Sequence, residues 1–226
     1  MSPGASPGAD VWDTLLAAGS ATTTFLDRRT WDRRSTEEPG SLPRGSYDLA
    51  QGRLELAWAT GRQLVATWRG APVASGQAQF HEALPWPWTT MPLTLGGVEV
   101  TCGRVAVEPT PRSPLVAHTQ LVAAREDGGG SWVYRVVGPT VPRPVKERSV
   151  GTHRALLERA DGTVVVTHDL PPLLEQVMAE GSRTTGVSWV EGTRLAELVL
   201  ALMWTADELF RGVAPPAYRT ANLDFW

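Results

Sequence analysis

The sequence predicts a mostly β fold, a closed antiparallel β-barrel of about nine to twelve strands enclosing a C-terminal hydrophobic α-helix. Two observations carry this expectation. The stretch Thr193–Arg211, TRLAELVLALMWTADELFR, is the only long apolar helix. Its Leu195, Leu198, Val199, Leu200, Leu202, Met203, Trp204, Leu209 and Phe210 leave no polar stripe through the middle turns. A surface helix keeps one wet face, so this one has to be surrounded. What precedes it reads almost entirely as short strands between glycine and proline turns, the pattern of an antiparallel sandwich or barrel. Closing the sheet round the helix satisfies both observations and removes exposed strand edges.

Residues 1–45 read as a flexible arm. SPGASPGAD has almost nothing apolar to bury, and DRRTWDRRSTEEPGSLPRG is dense in charge, proline and glycine. Within the arm, Val11, Trp12, Leu15 and Leu16 fall at helical spacing and predict a short two-turn helix. The barrel is expected over 46–212, with its helix at 193–211 and a tail at 213–226. Alternation marks strands at Arg53–Trp58 and Leu64–Trp68, and Pro72–Phe80 follows after Gly70. Pro85, Pro87 and Pro92 break the pattern into a connecting loop or rim. Strands at Gly97–Val107, Leu115–Ala124 and Trp132–Val137 come next, the last two joined across Asp127–Gly130. A second run of prolines, at 139, 142 and 144, precedes the clearest hairpin, Thr152–Arg159 and Thr163–His168 around Asp161-Gly162. A short helix over Pro171–Glu180 and a strand at Gly186–Glu191 lead into the apolar helix.

Composition bounds the function. A net charge of -3 over 226 residues argues against a nucleic-acid partner, which calls for a basic stripe. Its cations are arginines apart from Lys146, a bias expected of a GC-rich genome. With one cysteine, Cys102, there is no intrachain disulfide and no cysteine zinc site. The start, MSPGASPGAD, is unlike a signal sequence, and the apolar run Leu198–Trp204 is too short to span a bilayer, so a cytoplasmic location is expected.

The C-terminal third resembles a known family. GVSWVEG, Gly186 to Gly192, runs into TRLAELVLALMWTADELF, with Leu200-Ala201-Leu202 followed by Asp207. This segment, 186–211, is similar to the closing part of the tubby-like superfamily, nearest its LURP-one-related and phospholipid scramblase branch. The resemblance implies a twelve-stranded barrel wrapped round a C-terminal hydrophobic helix, and the Asp161-Gly162 hairpin suits the branch's strand–turn–strand units. Where the family often carries an acidic pair before the helix, this chain has Glu191 alone.

Candidate chemistry is sparse. His153 and His168 stand in facing strands with Asp169 adjacent, a weak candidate for a metal site that depends on strand register. Cys102 reads as a packed thiol with Arg104 on its face. No nucleophile elbow, P-loop or dinucleotide fingerprint occurs. Glu197 is expected to favour the helix dipole, with Asp207 and Glu208 solvated at the far end. Of ten tryptophans, Trp58, Trp68, Trp132 and Trp189 are expected to fill the barrel against Trp204, with Leu198 and Leu202 as structural core. Trp86 and Trp88, held rigid by prolines in PWPW, are candidates for a membrane or partner contact.

The expected function is a non-enzymatic, lipid-associated or scaffolding module at the inner membrane surface. Its partners would be phospholipid or protein, with no nucleic acid and no cofactor. The alternative is an enzyme or small-ligand carrier with a pocket lined by Trp and Arg. Burial of Trp204 on every side favours the first reading, and a helix on an outer face favours the second.

Overall fold

A computed structural model describes residues 10–26, 44–59, 63–77, 91–107, 118–137, 153–170 and 182–210. The chain opens with a one-turn helix, α1 (Asp10–Asp13), and a two-residue strand, β1 (Leu15–Leu16), before β2 (Gly19–Leu26). A meander follows: β3 (Arg44–Leu49), β4 (Gly52–Ala59), β5 (Gln63–Trp68), β6 (Ala71–Gln77), β7 (Met91–Leu95), β8 (Val98–Val107), β9 (His118–Arg125) and β10 (Ser131–Val137). It continues through β11 (His153–Arg159), β12 (Val164–Leu170) and β13 (Ser182–Trp189). The two-residue β14 (Thr193–Arg194) then leads into α2 (Leu195–Phe210).

From β3 to β13 each strand pairs antiparallel with the next, and β2 returns to pair with β13. The result is a nearly closed twelve-stranded barrel whose two ends, β2 and β3, touch. Eight strands leave a barrel interior just wide enough for side chains. Twelve leave room for a helix about 10 Å across, and α2 fills it. All eleven residues from Leu195 to Thr205 are at most 1% exposed. Three turns with no wet face mean a helix enclosed from every direction.

Inward positions alternate as a pleated strand requires. Leu54 and Leu56 of β4, Leu93 and Leu95 of β7, Trp132 and Tyr134 of β10, and Ala155 and Leu157 of β11 are all buried. Trp68, Trp132, Trp189 and Trp204 are interior, while the Trp58 side chain lies outside the described set. Two-residue hairpin loops fix the register at Arg69-Gly70 and Gly96-Gly97, every residue of which has positive φ. Arg69 tolerates this conformation with its guanidinium bonded to the Gln51 carbonyl and near Asp10, 3.6 Å away.

Several boundaries differ from those the sequence suggests. The arm expected over 1–45 is contradicted at 10–26, which belongs to the body; residues 1–9 and 27–43 lie outside the described set. Strand β2 was hidden because GSATTTFL is polar. Its order rests on an unbroken ladder with β13, from Gly19 opposite Trp189 to Leu26 opposite Ser182, and on the strand preference of threonine. The two-turn helix shrinks to α1, because Leu15 and Leu16 pair instead with Arg194 and Thr193. That pairing also delays the start of the central helix from 193 to 195. Pro92 is in a strand after all. It stands second in β7, before the ladder with β6 begins at Leu93, where a missing N–H is tolerated. The Pro171–Glu180 helix and the tail 213–226 fall outside the described residues.

The N-terminal segment closes one end of the barrel. Val11, Trp12 and Leu16 are buried, Trp12 Nε1 donates to the Leu95 carbonyl at 2.9 Å, and the carbonyls of Thr14 and Leu16 accept from Leu195 and Gly192. Trp12→Ala should therefore destabilise by about 3–5 kcal/mol, the range for truncating a buried tryptophan. Urea denaturation reads this directly, and a loss below about 1 kcal/mol would mark the segment as peripheral. In the same assay Leu202→Asp, which places a carboxylate in a dry helix interface, should cost more than about 4 kcal/mol.

Candidate functional site

Charged side chains converge where α2 begins. Glu197 is the third residue of the helix, and its Oε2 accepts the backbone N–H of Arg194 at 2.8 Å, half of a capping box. The same carboxylate takes two hydrogen bonds from Arg159, from Nε and Nη2 at 2.7 Å each, and one from Trp132 Nε1 at 3.0 Å. Arg159 also reaches the Gly192 carbonyl at 2.9 Å. Burial by itself would raise the Glu197 pKa; the hydrogen bonds from Arg159, Arg194 and Trp132 outweigh it and hold the carboxyl below its ordinary value. Arg159 is raised in turn by its bond to Glu197. With its lone pairs committed to the chain's own donors, Glu197 is a clamp and not a base.

Local sequence builds this corner. Gly162, at φ 83°, turns the β11–β12 hairpin, and the Asp161 carboxylate accepts the Thr163 N–H, which lowers its pKa. A bulge opposite Leu157 and Glu158 leaves Val165 as the extra residue of β12. Its carbonyl accepts both the Val190 N–H and the Thr193 hydroxyl, tying down the link into the helix. The neighbouring β9–β10 turn carries Arg125, ion-paired with Asp127 and stacked over the Trp12 ring at 4.4 Å.

Two adjoining clefts open here. One, of about 440 Å³, is lined by Leu15, Trp132, Arg159, Asp161, Arg194 and Glu197 together with the glycines of the turns. The other, of about 330 Å³, is lined by Trp12, Asp13, Arg125 and Gly129 and shares Leu15 and Arg194 with the first.

A second polar cluster lies inside the barrel. Tyr134 Oη is 2.9 Å from Thr205 Oγ1, which is 2.9 Å from His168 Nδ1. Full burial pushes the His168 pKa down to about 3, so the imidazole is neutral.

The structure separates the sequence's metal candidates. His168 points into the barrel opposite Ala155, whereas Asp169 is on the outer face, bonded to Arg154 at 3.0 Å. His153 stands opposite Leu170, and its side chain lies outside the described set. Among the described residues no three metal-ligating side chains come together. Trp86 and Trp88 lie outside the described residues, as do the side chains of Cys102, Asp207 and Glu208. Leu198, Leu202 and Trp204 are in the core. Glu197 stands in the first turn of the helix as expected, and takes Arg159 as a further partner that the sequence did not suggest. The sequence offered one clue, a single acid at the start of the apolar run Leu195–Trp204.

Removing Glu197 strands a guanidinium, an indole N–H and a backbone N–H, so Glu197→Ala should cost about 3–5 kcal/mol in urea denaturation. Acid should act through His168. The unfolded chain protonates this imidazole near pH 6.5 and the folded one near 3, so stability is full above 6.5 and falls across that window as pH drops. The slope reaches at most about 1.4 kcal/mol per pH unit. It should flatten in His168→Leu when stability is followed from pH 7 to 4.5.

No protein-family model, curated protein or solved structure matches this chain, so the fold and the geometry of the barrel mouth carry the functional argument.

Proposed function

We propose that this chain is a non-enzymatic barrel of the tubby-like kind, a scaffolding module that works through its outer surface, in the cytoplasm at the inner face of a membrane. The position of Trp204 carries the reading. It is 1% exposed, midway along a helix that the strands close in on every side. A barrel that carries ligand within keeps its interior free; here α2 occupies that space, so partners are met on the outside. Twelve antiparallel strands round one C-terminal helix is also the architecture that the likeness of segment 186–211 implies, and this agreement supports the membrane-surface role.

The barrel wall supports peripheral contact with a membrane. Its outer face carries the ion pairs Arg53–Glu55, Arg135–Glu158 and Arg154–Asp169, while its inner face is apolar. A barrel that crosses a bilayer has the reverse pattern. Among the described residues, no helix is long and apolar enough to cross either.

Sedimentation with vesicles tests the proposal. The chain should pellet with vesicles rich in anionic phospholipid at low salt, less with neutral ones, and progressively less as salt rises. The double variant Trp86→Ser/Trp88→Ser should lower the bound fraction. Failure to pellet with anionic vesicles at low salt would remove the membrane role.

A further inference from the structure

We infer that the cleft at the barrel mouth is a binding site for one small organic anion, a phosphate or carboxylate on a short apolar body, gripped by Arg194. The argument starts from an imbalance. Among the arginines whose side chains are described, Arg53, Arg69, Arg125, Arg135, Arg154 and Arg159 each stand within ion-pair distance of an Asp or Glu. Arg194 is the exception. Among the described residues no acceptor engages its guanidinium, although it is half-buried and borders both clefts. Asp13 borders the second cleft but does not pair with it. The Arg194 backbone is fixed by pairing with Leu15 and by its N–H bond to Glu197, which sets the point on the cleft wall from which the side chain extends. A guanidinium partly withdrawn from water loses hydration that a counter-charge normally offsets. Among the described residues no carboxylate pairs with the Arg194 guanidinium.

The remaining lining defines the ligand. Three of the carboxylates nearby are engaged: Glu197 by Arg159, Trp132 and the Arg194 N–H, Asp127 by Arg125 and the Gly129 N–H, and Asp161 by the Thr163 N–H. Asp13 and Asp161 keep acceptor capacity in the clefts, and the spare donors are Arg194 and the outward edge of Arg159, which is 34% exposed. A guanidinium fork matches phosphate and carboxylate alike. Leu15, 59% exposed, supplies an apolar wall. The two clefts together are lined by Arg125, Arg159 and Arg194 against Asp13, Asp161 and Glu197, three charges of each sign. That balance suits a single small anion and disfavours a long polyanion. This inference stands apart from the membrane role and survives its failure.

Calorimetric titration at low ionic strength tests it, with inorganic phosphate, glycerol 3-phosphate and butyrate as probes. The full chain is compared with Arg194→Gln and with Arg53→Gln, an arginine on the barrel wall. Saturable one-to-one binding of at least one probe is expected, weakened about ten- to hundredfold in Arg194→Gln and unchanged in Arg53→Gln. The Arg194→Gln variant should melt like the parent, since its guanidinium holds nothing in place. Absence of saturable binding by all three probes, or equal binding by Arg194→Gln, would overturn the site. Vesicles bearing phosphatidic acid identify the source of the anion. Pelleting that needs Arg194 and is displaced by glycerol 3-phosphate makes it a lipid headgroup, whereas pelleting indifferent to Arg194 beside intact binding of the soluble probe makes it a free metabolite.

Discussion

One buried carboxylate sets the constraint on which the rest of the barrel mouth depends. A helix wrapped by strands has no water with which to satisfy its first turn, so the orphan N–H groups there need partners from the protein. Glu197 answers the backbone N–H of Arg194 and simultaneously receives Arg159 from β11 and Trp132 from β10. Being charged and almost fully buried, it is stable only while those donors stay in place. The start of the helix, two adjacent strands and the turn at Gly192 are thereby locked in one arrangement.

The N-terminal segment completes the same corner from the other side. Leu195 and Gly192 donate to the carbonyls of Thr14 and Leu16, and Trp189 Nε1 donates to Ala17 at 2.8 Å. Gly19 follows directly, and any side chain there would strike the Trp189 ring, since an added Cβ would lie 2.6 Å from it. Strands β2 and β13 pair through this close approach, so the segment that adds β2 to the sheet also caps the helix. Among the described residues this mouth gathers clefts and charged side chains, whereas the barrel interior is given over to packing. Binding is better served at such a corner, because the backbone that carries Arg194 is already held by a ladder and a cap.

Much of the fold was legible in the chain. The enclosed helix followed from Leu198 to Trp204, which leave no polar face, and most strands followed from alternation and from turns such as Asp161-Gly162. What stayed hidden was β2, whose threonines carry strand preference but no apolar stripe, β3, which begins inside the expected arm, and β7, whose proline masked it. The candidate site was barely legible. Arg159 and Glu197 lie 38 positions apart, and Arg194 looks like any arginine until the six others with described side chains are seen in ion pairs.

The sequence by itself determined that a hydrophobic helix must be surrounded by antiparallel strands, because local periodicity states which faces have to leave water. Only the tertiary structure decided which residues seal the barrel and which of the described arginines is left without a carboxylate partner. Those outcomes depend on register and on contacts between distant segments: His168 turns inward and Asp169 outward by a single step along β12, and Leu15 meets Arg194 across nearly the whole chain. Pairing of that kind is set by the geometry of closure, and no local pattern encodes it.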